Sequence, residues 1–210
     1  MPKQVAEPIP KVYLIDDDPV INYLLVDLVD SVHLPFETFE SAEVFLDRDL
    51  SAAAGCIVTD VRMPGMSGLD LQDELRTRGV NLPMIFISGY PEVPSVVRAM
   101  RGGALDFFQK PFSTQQLLDR IKDGLRIDKA RSDAQARHRE IGERMASLTP
   151  REREVLQGVF EGKLTKVIAY ELGISQRTAE TYRHLIMQKL QAGSIAELVR
   201  LAMEFMPAKA

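Results

Sequence analysis

Five short runs rich in β-branched and aromatic residues alternate with helical patterns across residues 1–125, and this alternation constrains the fold more than any other feature of the chain. Lys11 to Ile15 reads as a buried strand. Asp18-Pro19 then offers an N-cap and a first-turn proline, and Val20, Leu24, Leu28 and Val29 recur at helical spacing. Pro35 to Phe39 is a second strand, followed from Ser41 by a helix carrying Val44, Phe45 and Leu46. Cys56 to Asp60 is a third strand, and Ser67 with Asp70 caps a helix that runs through Leu71 and Leu75 to Arg78. Met84 to Ser88 is the fourth strand, Pro94 to Met100 the fourth helix, and Leu105 to Gln109 the fifth strand. A fifth helix opens at Ser113, with Gln116 completing a capping box and Leu117, Leu118, Ile121 and Leu125 on its apolar face. Strands that alternate with helices call for a parallel sheet covered on both faces. The expected fold is therefore α/β, a doubly wound five-stranded sheet ordered 2-1-3-4-5.

The pattern changes after residue 125. From Ile127 to Ile141 there is neither Gly nor Pro, and charged residues dominate. Ala134, His138, Ile141, Met145 and Leu148 follow a four-three spacing, but that seam is polar and out of phase with Leu118, Ile121 and Leu125. The stretch reads as a solvated helical linker over 126–146 rather than a coiled coil. From 147 to 210 everything is helical. Thr149-Pro150 starts one helix, Lys163 to Leu172 forms a short one stopped by Gly173, Ser175 caps a longer one from Gln176 to Leu190, and Ser194 opens the last. Two helices joined by a tight turn make a helix-turn-helix. Charge divides the same way, with 11 Lys+Arg against 19 Asp+Glu in residues 1–124 and 15 against 11 thereafter. An acidic front and a mildly basic rear suggest different partners, the rear facing a polyanion.

Several classes are excluded early. The longest uncharged stretch, Gly79 to Pro91, is 13 residues with two prolines, too short to span a bilayer. The N-terminus has no apolar segment of a secretory signal. The single Cys56 cannot build a disulfide framework and reads as an inert core thiol in a reducing compartment. A cytoplasmic protein with no membrane partner is expected.

The acidic residues carry the chemistry. Asp16, Asp17 and Asp18 follow the first strand and Asp60 ends the third. In the expected sheet order those strands are neighbours at the switch point, so their carboxylates share the crevice where ligands bind. Carboxylates in one pocket repel each other without a cation, and oxygen-only ligands suit Mg²⁺ (or Mn²⁺). Ser88 and Lys110 end the fourth and fifth strands on the same rim. A carboxylate nucleophile, a metal site, a lysine and a hydroxyl form a kit for accepting a phosphoryl group. A flavin site would need a hydroxyl- and glycine-rich loop where this chain has three acids.

Leu-Ile-Asp-Asp-Asp-Pro, Val-Thr-Asp60-Val-Arg-Met-Pro-Gly-Met-Ser-Gly and Phe-Phe-Gln-Lys110-Pro resemble the signature runs of a response-regulator receiver domain over residues 11–125. The resemblance implies that Asp60 is the phosphoacceptor, and that Asp16, Asp17, Asp60 and the backbone carbonyl of Arg62 hold the metal. It further implies that Lys110 pairs with the phosphoryl group ahead of a cis peptide to Pro111, and that Ser88 and Phe107 are the switch residues. Asp18 remains a cap. In the rear, Leu-Thr-Pro-Arg-Glu-Arg-Glu-Val-Leu156, Lys-Val-Ile-Ala169, Leu-Gly-Ile-Ser175 and Lys189-Leu190 resemble a LuxR/NarL-type DNA-binding domain. The whole chain is similar to a FixJ-type response regulator.

The helix from Gln176 enters the major groove N-terminus first in this reading. Glu180, Thr181 and His184 match the base-reading face, while Lys166, Arg177, Thr178, Arg183 and Lys189 are placed for phosphates. Val167, Ile168, Leu172, Ala179, Leu185, Ile186 and Leu190 form the apolar set facing inward. Thr165, Ala179 and Tyr182 depart from the family's usual asparagine, valine and histidine, which leaves the operator sequence open. The implied partners are a sensor histidine kinase, double-stranded promoter DNA and a second copy once phosphorylated. The function expected is a phosphorylation-gated transcriptional regulator, a phosphoacceptor that takes part in its own Mg²⁺-dependent phosphoryl transfer and dephosphorylation but is no turnover enzyme. The alternatives are a phosphoryl shuttle or kinase-binding adaptor, and a phosphorylation-independent transcription factor.

Overall fold

The structure, a computed structural model, describes residues 9–205 and divides into two compact units with their boundary between Ser132 and Asp133. In the front unit five strands, β1 (Lys11–Ile15), β2 (Phe36–Phe39), β3 (Gly55–Asp60), β4 (Met84–Ser88) and β5 (Asp106–Gln109), pair in parallel in the order 2-1-3-4-5. Between them run α1 (Pro19–Asp30), α2 (Ala42–Leu46), α3 (Gly68–Thr77) and α4 (Val93–Arg101). The caps read from sequence are in place: the side chains of Asp18, Ser41 and Ser67 accept the backbone N–H of Val20, Val44 and Asp70. Each satisfies an N–H that the first helical turn leaves unpaired.

The two-residue period of the strands sorts their side chains onto two cores. Tyr13, Ile15, Ile57 and Phe86 face α2, α3 and α4, packing on Phe45, Leu71, Leu75 and Ala99. Val12, Leu14, Cys56, Val58, Ile85 and Ile87 face the other way, onto Leu25 and Val29 of α1 and onto Leu117 and Ile121. A side chain of this kind contributes roughly 1.5–3 kcal/mol when fully buried, and most of these have no exposed surface at all. The register sets Ile15 beside Thr59 and Asp60 beside Ile87, so the C-terminal ends of β1, β3 and β4 lie at one edge.

The helix α5 runs over Thr114–Ala146. Ser113 accepts from Gln116 N at 3.4 Å. Farther along, Asp128 is buried, and its Oδ2 accepts the N–H of Gly55 at the start of β3, 2.7 Å away. Residues 131–140 are exposed.

In the rear unit α6 (Pro150–Phe160), α7 (Thr165–Glu171), α8 (Gln176–Leu190) and α9 (Ile195–Phe205) bury Leu156, Ile168, Ile186, Leu190, Leu198 and Leu201 together. Ile141 and Leu148, two residues of the four-three seam, lie in this same core, and His138 stacks on Phe205 at 4.5 Å. The C-terminal part of the seam is thus covered inside its own unit, while Ala134 stays exposed. The short helix begins at Thr165, two residues later than its sequence pattern suggests, because Leu164 takes the extended N-cap backbone. Val167 and Leu185, assigned to the apolar set, remain more than a third exposed. No helix among the described residues is long and apolar enough to cross a membrane.

Candidate functional site

At the C-terminal edge of the sheet the strands end in charge. Asp16 and Asp17 leave β1, Asp60 closes β3, and one ligand oxygen from each falls within 4.8 Å of the others. Lys110, just past β5, donates from Nζ to Asp16 Oδ2 at 2.9 Å and to Asp60 Oδ2 at 2.7 Å. One lysine therefore bridges two carboxylates that arrive from strands 94 and 50 residues away. The peptide from Lys110 to Pro111 is cis, as the resemblance implied.

The local backbone fixes each group. Asp16 Oδ1 accepts from Asp18 N at 2.9 Å, and Asp60 Oδ1 accepts from Arg62 N at 3.1 Å. Gly68 gives α3 its close start, since a side chain there would overlap the carbonyl of Asp60. Ser88 is buried, its Oγ accepting from Tyr90 N at 3.3 Å, while Phe107 is half-buried and stacks on Phe86 at 6.3 Å. The expected rim residues are thus brought together: Asp16, Asp17, Asp60, Ser88 and Lys110 on strand ends, with Phe107 inside the adjoining strand.

Electrostatics distinguishes the members. Burial pushes the Asp16 carboxyl above its ordinary value, and neither its hydrogen bonds nor Lys110 offset this fully. Burial opposes the charge on Lys110, but the bonds to Asp60 and Asp16 outweigh it and hold the ammonium protonated to higher pH than usual. Three carboxylates facing a single ammonium leave the pocket with excess negative charge. The donor set is all oxygen, partly open to solvent, and fits a hard divalent cation.

Two contacts at this rim were not legible in sequence. Asn22 of α1 donates Nδ2 to the carbonyl of Asp16 at 2.6 Å. Its position one turn beyond the Asp18 cap was the available signal. The side chain of Arg62 pairs with Glu92 at the start of α4, a contact no local pattern announces. A cleft of about 360 Å³ at the opposite edge of the sheet, lined by Leu75, Arg76, Leu105, Ile127 and Arg131 among others, gathers no comparable set of carboxylates.

On α8 of the rear unit, Arg177, Thr178, Glu180, Thr181 and His184 are exposed, and so is Lys166 on α7. Thr181 Oγ1 donates to the carbonyl of Arg177 at 3.0 Å, and Glu180 accepts from Gln176 at 3.0 Å. Arg183 and Lys189 are engaged inside the unit. Arg183 donates to Thr165 Oγ1, and Lys189 Nζ donates to the buried Glu152 at 2.7 Å. Glu152 also accepts from Thr149 N at 2.7 Å and Thr149 Oγ1 at 3.0 Å, completing a capping box at the start of α6. Burial opposes its charge, but Lys189 and Thr149 overcome this and hold the carboxyl below its ordinary value.

Comparison with known proteins finds two families along the chain. Residues 12–122 match the response regulator receiver domain, and residues 146–202 match the bacterial regulatory proteins of the luxR family. The response regulator protein TodT of Pseudomonas putida is 43% identical over 190 residues, covering 90% of this chain and 84% of that protein. The transcriptional regulatory protein FixJ of Azorhizobium caulinodans is 42% identical over 192 residues, 91% of each. Among solved structures, the response regulator StyR superposes with a TM-score of 0.85 at 41% identity, covering 93% of this chain and 99% of that one. Full-length FixJ from B. japonicum gives 0.58 at 40% identity, covering 92% and 96%.

Proposed function

The chain belongs to the FixJ-like response regulators, a receiver domain followed by a LuxR-type DNA-binding domain, and from that premise we propose that a histidine kinase phosphorylates Asp60 and so promotes dimerisation and promoter binding. The protein is a two-component transcription factor. In functional terms residues 1–125 receive the phosphoryl group, 126–146 link, and 147–210 bind DNA. Promoter DNA as a partner makes it a cytoplasmic protein.

The observation that carries this reading is Lys110 bridging Asp16 and Asp60 within a three-carboxylate pocket. Asp16, Asp17, Asp60 and the carbonyl of Arg62 would hold Mg²⁺ (or Mn²⁺). When bound, the cation would offset the repulsion between these carboxylates and an incoming phosphoryl group. Asp60 attacks phosphorus through a carboxylate oxygen, and the bond from phosphorus to the kinase's histidine nitrogen breaks with its electron pair leaving on the imidazole. Lys110, held charged by its carboxylate partners, stays beside the product and balances its charge. Ser88 then turns its Oγ from the Tyr90 amide toward the phosphoryl oxygens, and Phe107 follows inward. This alters the α4–β5 surface on which a second copy docks.

In the rear unit Glu180, Thr181 and His184 read base edges, and Lys166, Arg177, Thr178 and Arg183 contact phosphates. Lys189 joins them only by releasing Glu152. Intact mass after treatment with a small-molecule phosphodonor and Mg²⁺ tests the first step. Wild type should gain one phosphoryl group and Asp60→Asn none. Equal labelling of the two would remove Asp60 from the role.

A further inference from the structure

The loop between β3 and α3 connects Asp60 to the helix that begins at Gly68, and it contains Arg62. Its near end is fixed from within the sheet. Val61 N donates to Ile87 O, and Gly68 N closes back on Val61 O, both at 3.1 Å. The far side is held from another element altogether. Glu43, in the first turn of α2, accepts the N–H of Met66 through Oε1 at 2.6 Å, across 23 residues of chain. Gly65, with φ of +75°, brings its backbone against the same carboxylate, and a side chain there would overlap Glu43 Oε1. The left-handed turn and the absent Cβ thus make room for this one acid. Bonds from its own backbone N–H and from Met66 N hold the Glu43 carboxyl below the ordinary range, so it stays an acceptor throughout neutral pH.

We propose that Glu43 is a positioning residue for the acidic pocket: its carboxylate grips the Gly65–Met66 turn and so sets the backbone of the loop that offers the Arg62 carbonyl to the cation. The inference rests on the metal reading of Asp16, Asp17 and Asp60. Glu43 touches neither cation nor phosphoryl group, and acts only through the loop.

The test is Mn²⁺ binding to the unphosphorylated full chain, read from loss of the free-ion electron paramagnetic resonance signal, with folding checked by circular dichroism. Glu43→Ala should weaken binding roughly tenfold, at the lower end of what losing a group behind a metal ligand costs. Glu43→Gln, which keeps an acceptor at the same reach, should stay near wild type, as should Glu40→Ala on the neighbouring segment. Glu43→Asp keeps the charge but not the reach and should lose most of the affinity. It decides the matter should Glu43→Ala fail to fold. Phosphorylation of Glu43→Ala by a small phosphodonor should recover its wild-type maximal rate at saturating Mg²⁺. Wild-type affinity in Glu43→Ala or Glu43→Asp would overturn the proposal, and so would a loss that Glu43→Gln shares. Wild type that binds no Mn²⁺ would instead remove the metal reading itself.

Discussion

Each unit of this protein sets a lysine against buried acid, and the two outcomes are opposite. In the rear, Glu152 receives Lys189 Nζ together with the amide and hydroxyl of Thr149, and its carboxyl is held below the ordinary value. In the front, Lys110 is divided between Asp16 and Asp60 with Asp17 alongside, and burial lifts the Asp16 carboxyl instead. One acid with one cation and a full set of donors is a finished structural joint. Several acids around one cation hold negative charge that a divalent cation would offset. The difference separates a group that serves the fold from a group available for chemistry.

The largest expected effect comes from breaking the finished joint. Glu152→Ala removes a capping box and strands Lys189, which should cost the rear unit about 2–3 kcal/mol; the lysine is about a third exposed and can turn to water, which limits the loss. Hydrogen exchange of buried amides in α6 and α8 would report it without reference to the front unit. The acid dependence has a definite sign. Because the folded carboxyl lies below its ordinary 4.5, its contribution is complete above that value and disappears as pH falls through the lower folded value. Stability curves of wild type and Glu152→Gln should therefore converge in acid and separate at neutrality.

Next in size is base reading. Glu180→Ala should relax discrimination at one position per half-site by roughly 1–3 kcal/mol, measured by selection over randomised half-sites. An unchanged preferred sequence would leave the reading to Thr181 and His184. Smaller still, Arg177→Ala or Lys166→Ala should lower the salt slope of DNA binding by about one while weakening all sequences alike. Lys189→Ala sharpens the comparison. If its ammonium stays with Glu152 on DNA, stability falls and the slope does not. A slope reduced by about one would show that it leaves the joint for a phosphate. The smallest effect belongs to the unfinished site. Asp60→Asn removes repulsion as well as a partner of Lys110, so urea unfolding of the front unit should shift by less than about 1 kcal/mol. A loss as large as that of Glu152→Ala would mean that the acidic pocket serves the fold.

What could be read in sequence was what local pattern encodes. Alternation of strand and helix, the caps at Asp18, Ser67 and Ser175, and acids at strand ends all act within a few residues, and the sheet order then follows from the rules of parallel connections. The parts that were not legible depend on side chains that reach across the fold. Glu152 looks like one more charge in Arg-Glu-Arg-Glu, and only the approach of α8 from 37 residues away makes it a buried partner of Lys189. Asp128 looks like part of a solvated run, yet it reaches Gly55 across 73 residues. The seam through Ile141 and Leu148 shows a helical period, but a period does not say which surface will cover it, and the rear unit's own helices do. Val167 and Leu185 fit an apolar face by spacing and still stand partly open, since spacing fixes direction and not depth.

The central claim, that the unfinished pocket takes a phosphoryl group on Asp60 with the help of a divalent cation, is tested most directly by reductive trapping. Borohydride reduces an acyl phosphate to the alcohol, turning a phosphorylated aspartate into homoserine, which peptide mass spectrometry then locates. After treatment of the full chain with a phosphodonor and Mg²⁺, the account predicts homoserine at position 60 and nowhere else, and none when the metal is chelated. Homoserine at another carboxylate, or equal trapping at position 60 with and without Mg²⁺, would contradict it.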